Sequence, residues 1–278
     1  MITHAFSLWI RTAVAVTVLA SLGIVAFVFK ESLPFWSDPE TYRSLVSTIW
    51  YPRENHFGLI SLIVGSLSVV GFAVVLSALV SLCAAVAIVF YLPRRVASFL
   101  LLAFEAAAGI PAVVIGLFGL LQLVPLLGSL HTPAFGLLVA SCVLSLILIP
   151  TLTSNIVEVL VVEADEIVTV GKSLGISLET LILEVIWPAR RHAVARSLFL
   201  ATSRGLGETL AILMVAGNVV QIPTGPFESF RTINATIALE MPYALGVHRA
   251  SLFAVGLVTL LLVLTLHFLA QRFTYGES

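Results

Sequence analysis

Residues 58–92 read GLISLIVGSLSVVGFAVVLSALVSLCAAVAIVFYL, with no charged side chain, and stop at Pro93-Arg94-Arg95. As a helix this run would reach roughly 50 Å at 1.5 Å per residue, against a bilayer hydrocarbon core of roughly 30 Å. It is therefore one long or tilted crossing, or two. Basic residues favour the cytoplasmic side of a membrane. Arg94 and Arg95 close the run, and Arg11 precedes an earlier apolar stretch. With the N-terminus inside, that parity requires one crossing.

Working outward, Thr12 to Phe29 is uncharged and close to the roughly 20 residues that a crossing needs. It ends in Phe27-Val28-Phe29-Lys30 rather than at a small-residue cleavage site, so it reads as a retained anchor and not a signal peptide. Residues 31–56 form a polar loop with Pro34, Trp36, Asp38, Pro39, Trp50, Pro52 and Glu54. Further spans are expected at about 96–124, 134–157, 193–222 and 250–270. The fold class predicted is all-α, a polytopic bundle of six transmembrane helices with both termini cytoplasmic. The chain divides into an N-terminal helix and extracytoplasmic loop (1–56), a core (57–272) and a short tail (273–278). Composition agrees: of 278 residues 59% are hydrophobic and 10% charged, where a soluble domain carries about 25% charged residues. The formal net charge of −1 gives no bulk field to attract nucleic acid. Cys83 and Cys142 lie in apolar runs and read as small hydrophobes.

Between the fourth and fifth expected spans, residues 158–191 run well beyond the usual helix connection of about 2–8 residues. Leu178, Leu181, Ile182, Val185 and Ile186 repeat at helical spacing, with Glu179, Thr180 and Glu184 off that face. Ser177 is the expected N-cap and Pro188 the expected stop. The segment reads as a short amphipathic helix at the cytoplasmic surface. Its acidic face favours a protein partner over anionic lipid.

Arg204 and Glu208 stand inside the fifth expected span, where an ionisable group costs several kcal/mol unless it meets a partner or water. At i, i+4 they would share a helix face, with Gly205 and Gly207 allowing close approach. A mutually neutralising packing pair is one reading; a substrate pathway is the favoured one. In the latter, Arg204 offers a planar fork of donors to an oxyanion. Glu208 holds the guanidinium, repels a fully deprotonated anion such as sulfate and accepts a hydrogen bond from the remaining proton of phosphate. Glu105, with Gly109, Ile110 and Pro111, suggests a bent helix that either lines a cavity or sits near the interface. His131, His192, His248, His4, His56 and His267 show no metal-ligand spacing, and no metal is expected. Neither a full dinucleotide loop nor a P-loop is present, so any ATP must act on another subunit.

Ser203-Arg204-Gly205-Leu206-Gly207-Glu208-Thr209-Leu210-Ala211, followed by Gly217-Asn218, resembles the R-A-L-G-E-T-M-A…G-N segment of phosphate ABC transporter permeases of the PstC type. Residues 105–116 (EAAAGIPAVVIG) are similar to that family's E-L-L-A-A-I-P-S-I-V-x-G segment, and Phe57-Gly58 to Gly65-Ser66-Leu67 resembles the opening of its core. The cytoplasmic segment resembles the importer coupling motif EAA-x3-G-x9-I-x-L-P, with Gly175 and Pro188 in place and Val185 and Trp187 at the I and L positions. Its EAA triplet is replaced by Thr169, Val170 and Gly171. The resemblance covers about residues 57–272. It implies a type-1 ABC permease core with one extra N-terminal helix, importing inorganic phosphate in the bacterial inner membrane. It further implies a second permease subunit (PstA type), an ATPase dimer (PstB type) that carries ATP and Mg and docks near Gly171, Gly175 and Pro188, and an extracytoplasmic phosphate-binding protein (PstS type). Arg204 and Glu208 would lie in the pathway, with Glu105, Pro111, Thr209 and Asn218 as secondary candidates. A permease for molybdate, tungstate or sulfate, or an ATP-independent ion-coupled transporter, stands as the alternative.

Overall fold

The computed structural model describes residues 2–37, 39–129, 134–162 and 164–272; Asp38, His131 and the tail 273–278 lie outside them. Helix α1 (Ile2–Trp36) is followed by the short α2 (Pro39–Arg43) and a small antiparallel hairpin, β1 (Trp50–Tyr51) and β2 (His56–Phe57). Helix α3 (Ile60–Val86) continues through a π-helical turn at Ala87–Tyr91, giving one uninterrupted helix over the run that the flanking arginines assign to a single crossing. Pro93 stops it: its extended backbone (ψ 144°) turns the chain, and its carbonyl receives the first amides of α4 (Arg94–Ala108).

Gly109, Ile110 and Pro111 separate α4 from α5 (Ala112–Phe118), which runs through a π turn into α6 (Val124–Gly128). The axes differ by 92° across this break. Proline lacks an N–H and disfavours helical backbone in the residue before it, so the bend expected from Gly109 to Pro111 is present. Helix α7 (Leu137–Val161) is the central element: two thirds of its apolar window is buried, packed along α3 and against α10 (Trp187–Gly207). Between them lie α8 (Ala164–Ser173) and α9 (Leu178–Thr180), with a π turn at Leu181–Ile186. After α10 come α11 (Leu210–Val215), α12 (Ile233–Glu240) and α13 (Gly246–Arg272).

Three apolar clusters stack along the bundle. The middle one joins Val69, Val70, Val143, Leu144, Ile212 and Val215. Phe35, Trp50, Phe57, Leu62 and Leu252 close the hairpin onto the bundle, and Ile88, Leu152, Ile156, Ile186 and Val194 close the segment between α7 and α10 onto it. Gly116 makes the α5–α11 crossing possible, since a Cβ there would stand 2.7 Å from the Ala211 Cα. The apolar window of α1 has none of its residues buried, and among the described residues the long helix it packs on is α13, which it meets through Phe27 on Phe253 and Glu31 on Arg249. That much bare apolar surface is stable only in lipid.

The structure is a helical membrane bundle, but it departs from the sequence reading at four points. Among the described residues, four helices are long and apolar enough to cross a membrane, or five if the bent α4–α6 pair counts as one span. The stretch 193–222 is not one helix, because α10 ends at Gly207 and α11 is only six residues long. Helix α1 runs past Lys30 to Trp36, so the loop is shorter than 31–56. Pro188 does not stop a helix: it sits in the first turn of α10, where its missing N–H costs little and the wide π turn before it accommodates the ring.

Candidate functional site

The last turn of α10 places Arg204, and the residue that ends the helix is Glu208. Glu208 has extended backbone (ψ 133°) and lies outside the helix whose face it was expected to share with Arg204. Its Oε1 accepts from the backbone N–H of Thr209 at 3.1 Å and of Ala211 at 3.4 Å. The carboxylate thus caps α11, satisfying amides that a helix start leaves without partners and placing negative charge at its positive end. Arg204 turns to another helix: its Nη1 donates to Thr151 Oγ1 on α7 at 3.0 Å. Among the described residues no ion pair involves either Arg204 or Glu208. The expectation that Glu208 holds the guanidinium is therefore corrected. Two glycines and an extended residue end the helix before i+4, and the freed amides of α11 take the carboxylate.

This leaves a guanidinium on the exposed side of α10 with one of its five N–H donors engaged by Thr151. The break also holds the Thr209 hydroxyl, whose Oγ1 donates to the Gly207 carbonyl at 3.3 Å. Such a break, with fixed dipoles and a cation whose charge is not cancelled by a neighbouring carboxylate, can receive an anion.

The other sequence candidates are dispersed. Glu105 is exposed on α4 and Pro111 precedes the first residue of α5; no hydrogen bond or ion pair joins Glu105 to Arg204 or Glu208. Asn218 follows Gly217 in a left-handed turn (φ 56° and 79°), where its Nδ2 donates to the Leu213 carbonyl at 2.7 Å and finishes α11. In the segment between α7 and α10, Gly175 adopts φ 76° at the end of α8, and Ile176 and Gly175 donate to the carbonyls of Gly171 and Lys172. A Cβ on Gly171 would meet Leu181 at 2.5 Å, so this glycine lets α8 press on the following turn. Ser177 caps α9 as expected, accepting from Thr180 N at 3.2 Å. Leu181 and Ile186 are buried as the periodicity requires, but Val185 is exposed because the π turn shifts the helical phase.

A second polar constellation escaped the sequence reading. Glu240, at the end of α12, is 5% exposed and gathers three side chains. Arg231 Nη1 donates to its Oε1 at 2.8 Å, Trp50 Nε1 donates to its Oε2 at 2.9 Å, and His248 Nε2 lies 2.8 Å from the same oxygen. Arg231 Nε also donates to the Asn218 carbonyl at 2.9 Å. A cavity of about 480 Å³ opens beside this cluster, lined by Tyr51, Arg53, Tyr243 and His248 as well as Glu240. The available signal was a lone glutamate in the apolar stretch 235–241, with Arg231 nearby. Trp50, far away in sequence, could not be inferred.

No protein-family model matches the chain. A probable ABC transporter permease protein, YqgH of Bacillus subtilis, is 28% identical over 98% of this chain and 89% of its own length. The phosphate transport system permease protein PstC of Mesorhizobium japonicum is 29% identical, with 93% of this chain and 85% of that protein covered. PstC 1 of Mycobacterium tuberculosis is 28% identical over 76% and 69% respectively. The chain resembles the PstC-type ABC permeases. That likeness spans α1 to α13 in the longer matches, so the broken α10–α11 segment falls within a chain similar to PstC along most of its length.

Proposed function

We propose that this chain is the permease subunit of an ATP-driven importer that carries inorganic phosphate across the bacterial cytoplasmic membrane, with both termini inside. The likeness to PstC proteins supplies the substrate and the class of machine. Arg204 carries the reading at the level of residues: it is a guanidinium at a helix break, tethered by a neutral hydroxyl rather than neutralised by Glu208. Phosphate leaving water would exchange part of its hydration for the Arg204 fork, whose charge makes entry favourable. The other oxygen of Glu208 can accept a hydrogen bond from a protonated phosphate, and the carboxylate would repel sulfate.

The chain holds no P-loop, so hydrolysis of ATP belongs to partner subunits. We assign their docking to the segment around α8, Gly175 and the π turn before α10, whose exposed Val170, Leu174, Leu183 and Trp187 form an apolar cytoplasmic face. A second permease and an extracytoplasmic phosphate-binding protein complete the machine. Nucleotide and loaded binding protein would then shift the populations of its outward- and inward-open states.

The test is ATP hydrolysis by the complex that co-purifies with the chain in mild detergent, with phosphate-loaded or sulfate-loaded binding protein added. Stimulation by the phosphate form alone is expected, with loss of phosphate uptake in Arg204→Met. Equal stimulation by both would overturn the phosphate assignment, and absence of any ATPase would overturn the importer assignment.

A further inference from the structure

The turn at Glu208 has a cost that a residue distant in sequence absorbs. In a continuous helix the Leu206 carbonyl would accept from the N–H of Leu210, but the extended backbone of Glu208 removes that donor. Leu206 is buried, so its carbonyl cannot turn to water. It accepts instead from Asn234 Nδ2 at 2.7 Å, the side chain of a residue on α12. We propose that Asn234 is a positioning residue for the substrate pathway: it fixes the C-terminal end of α10, and with it the placement of Arg204 and Glu208, relative to the outer face of the protein.

Asn234 can do this because α12 is held at both ends. At its start Thr232 Oγ1 accepts from Ala235 N at 3.2 Å, and Ser66 Oγ of α3 accepts from Ile233 N at 2.9 Å. At its end Glu240 is bound to Arg231, Trp50 and His248. The helix is thus a strut between the hairpin that carries Trp50 and the break in α10. A shift of the hairpin that moved Glu240 would be felt at Leu206 through a single hydrogen bond. Only an amide donor of about this reach serves, since Leu206 offers an acceptor and an aspartate in place of Asn234 would present a second one.

The inference rests on the proposed transport reading for its kinetic consequences but not for its structural ones, so two measurements separate them. Backbone amide exchange is followed at Thr209 and Ala211 in the purified complex for wild type, Asn234→Leu, Asn234→Asp and Asn234→Gln. Exchange should become roughly five- to tenfold faster in the Leu and Asp variants, in line with the loss of one buried hydrogen bond. In Asn234→Gln, whose amide still reaches, it should return towards the wild-type rate. In phosphate uptake, the Leu variant should lower kcat several-fold while KM changes little, as expected when geometry in motion rather than ion binding is lost. Wild-type exchange at Thr209 and Ala211 in Asn234→Leu would overturn the proposal, as would a Gln variant no better than Leu. If the wild-type complex moves no phosphate, the transport reading fails and the exchange comparison still decides the role of Asn234.

Discussion

Glu208 shows how one side chain can look like a charge partner in sequence and act as a cap in the fold. Because its Oε1 serves the amides of Thr209 and Ala211, Glu208→Gln retains an acceptor and Glu208→Leu does not. The Leu variant should lose about 1 kcal/mol of stability, the usual scale for a missing N-cap. The Gln variant should melt within a degree or two of wild type in a detergent thermal-shift assay, and its uptake then reports the charge alone. In the loop 222–229, Glu228 offers a pH probe. The backbone N–H of Thr224, then its hydroxyl, donate to this carboxylate at 2.7 and 2.8 Å and hold its pKa below the ordinary glutamate value. A depressed acid contributes order that is fully present above its unfolded pKa and is lost as pH falls through the folded one. Cleavage of the loop 222–229 by an acid-stable protease should rise below about pH 4.5, the ordinary glutamate range, and Thr224→Val should move that onset upward.

At the scale of elements, the segment between α7 and α10 is packed by a close contact, in a stretch where Thr169, Val170 and Gly171 replace the EAA triplet. Helix α8 bears on the turn at Leu181 only because Gly171 has no side chain. Gly171→Val should separate α8 from that turn and uncouple the ATPase: basal hydrolysis persists while stimulation by loaded binding protein falls several-fold. If stimulation in this variant matches wild type, α8 is not part of the coupling path. The periodicity located the buried residues Leu181 and Ile186 and the cap at Ser177. It misplaced Val185 because a π turn does not follow the 3.6-residue repeat, and it misread Pro188 because proline is as well suited to begin a helix as to end one.

For the molecule as a whole, the Glu240 cluster ties three separate segments together. It draws together the hairpin through Trp50, the loop after Asn218 through Arg231, and the start of α13 through His248. Glu240→Leu would leave Arg231 without its counter-charge in a mostly buried site, costing roughly 3 kcal/mol. The purified chain should then melt several degrees lower, while a double Arg231→Met, Glu240→Leu variant should recover part of that loss.

What the sequence determined by itself is the solvent and the class. Long uncharged runs can be stable only in lipid, because this is a one-dimensional property that depends on local composition. The bend after Gly109 was legible for the same reason. Tertiary structure alone decided the partners. That Arg204 meets Thr151, that Glu208 caps α11, that Asn234 serves Leu206 and that Trp50 reaches Glu240 follow from helices brought side by side by packing. A buried polar group must find whichever complement lies within about 3 Å in space, and distance in space is the one quantity that residue numbers do not carry.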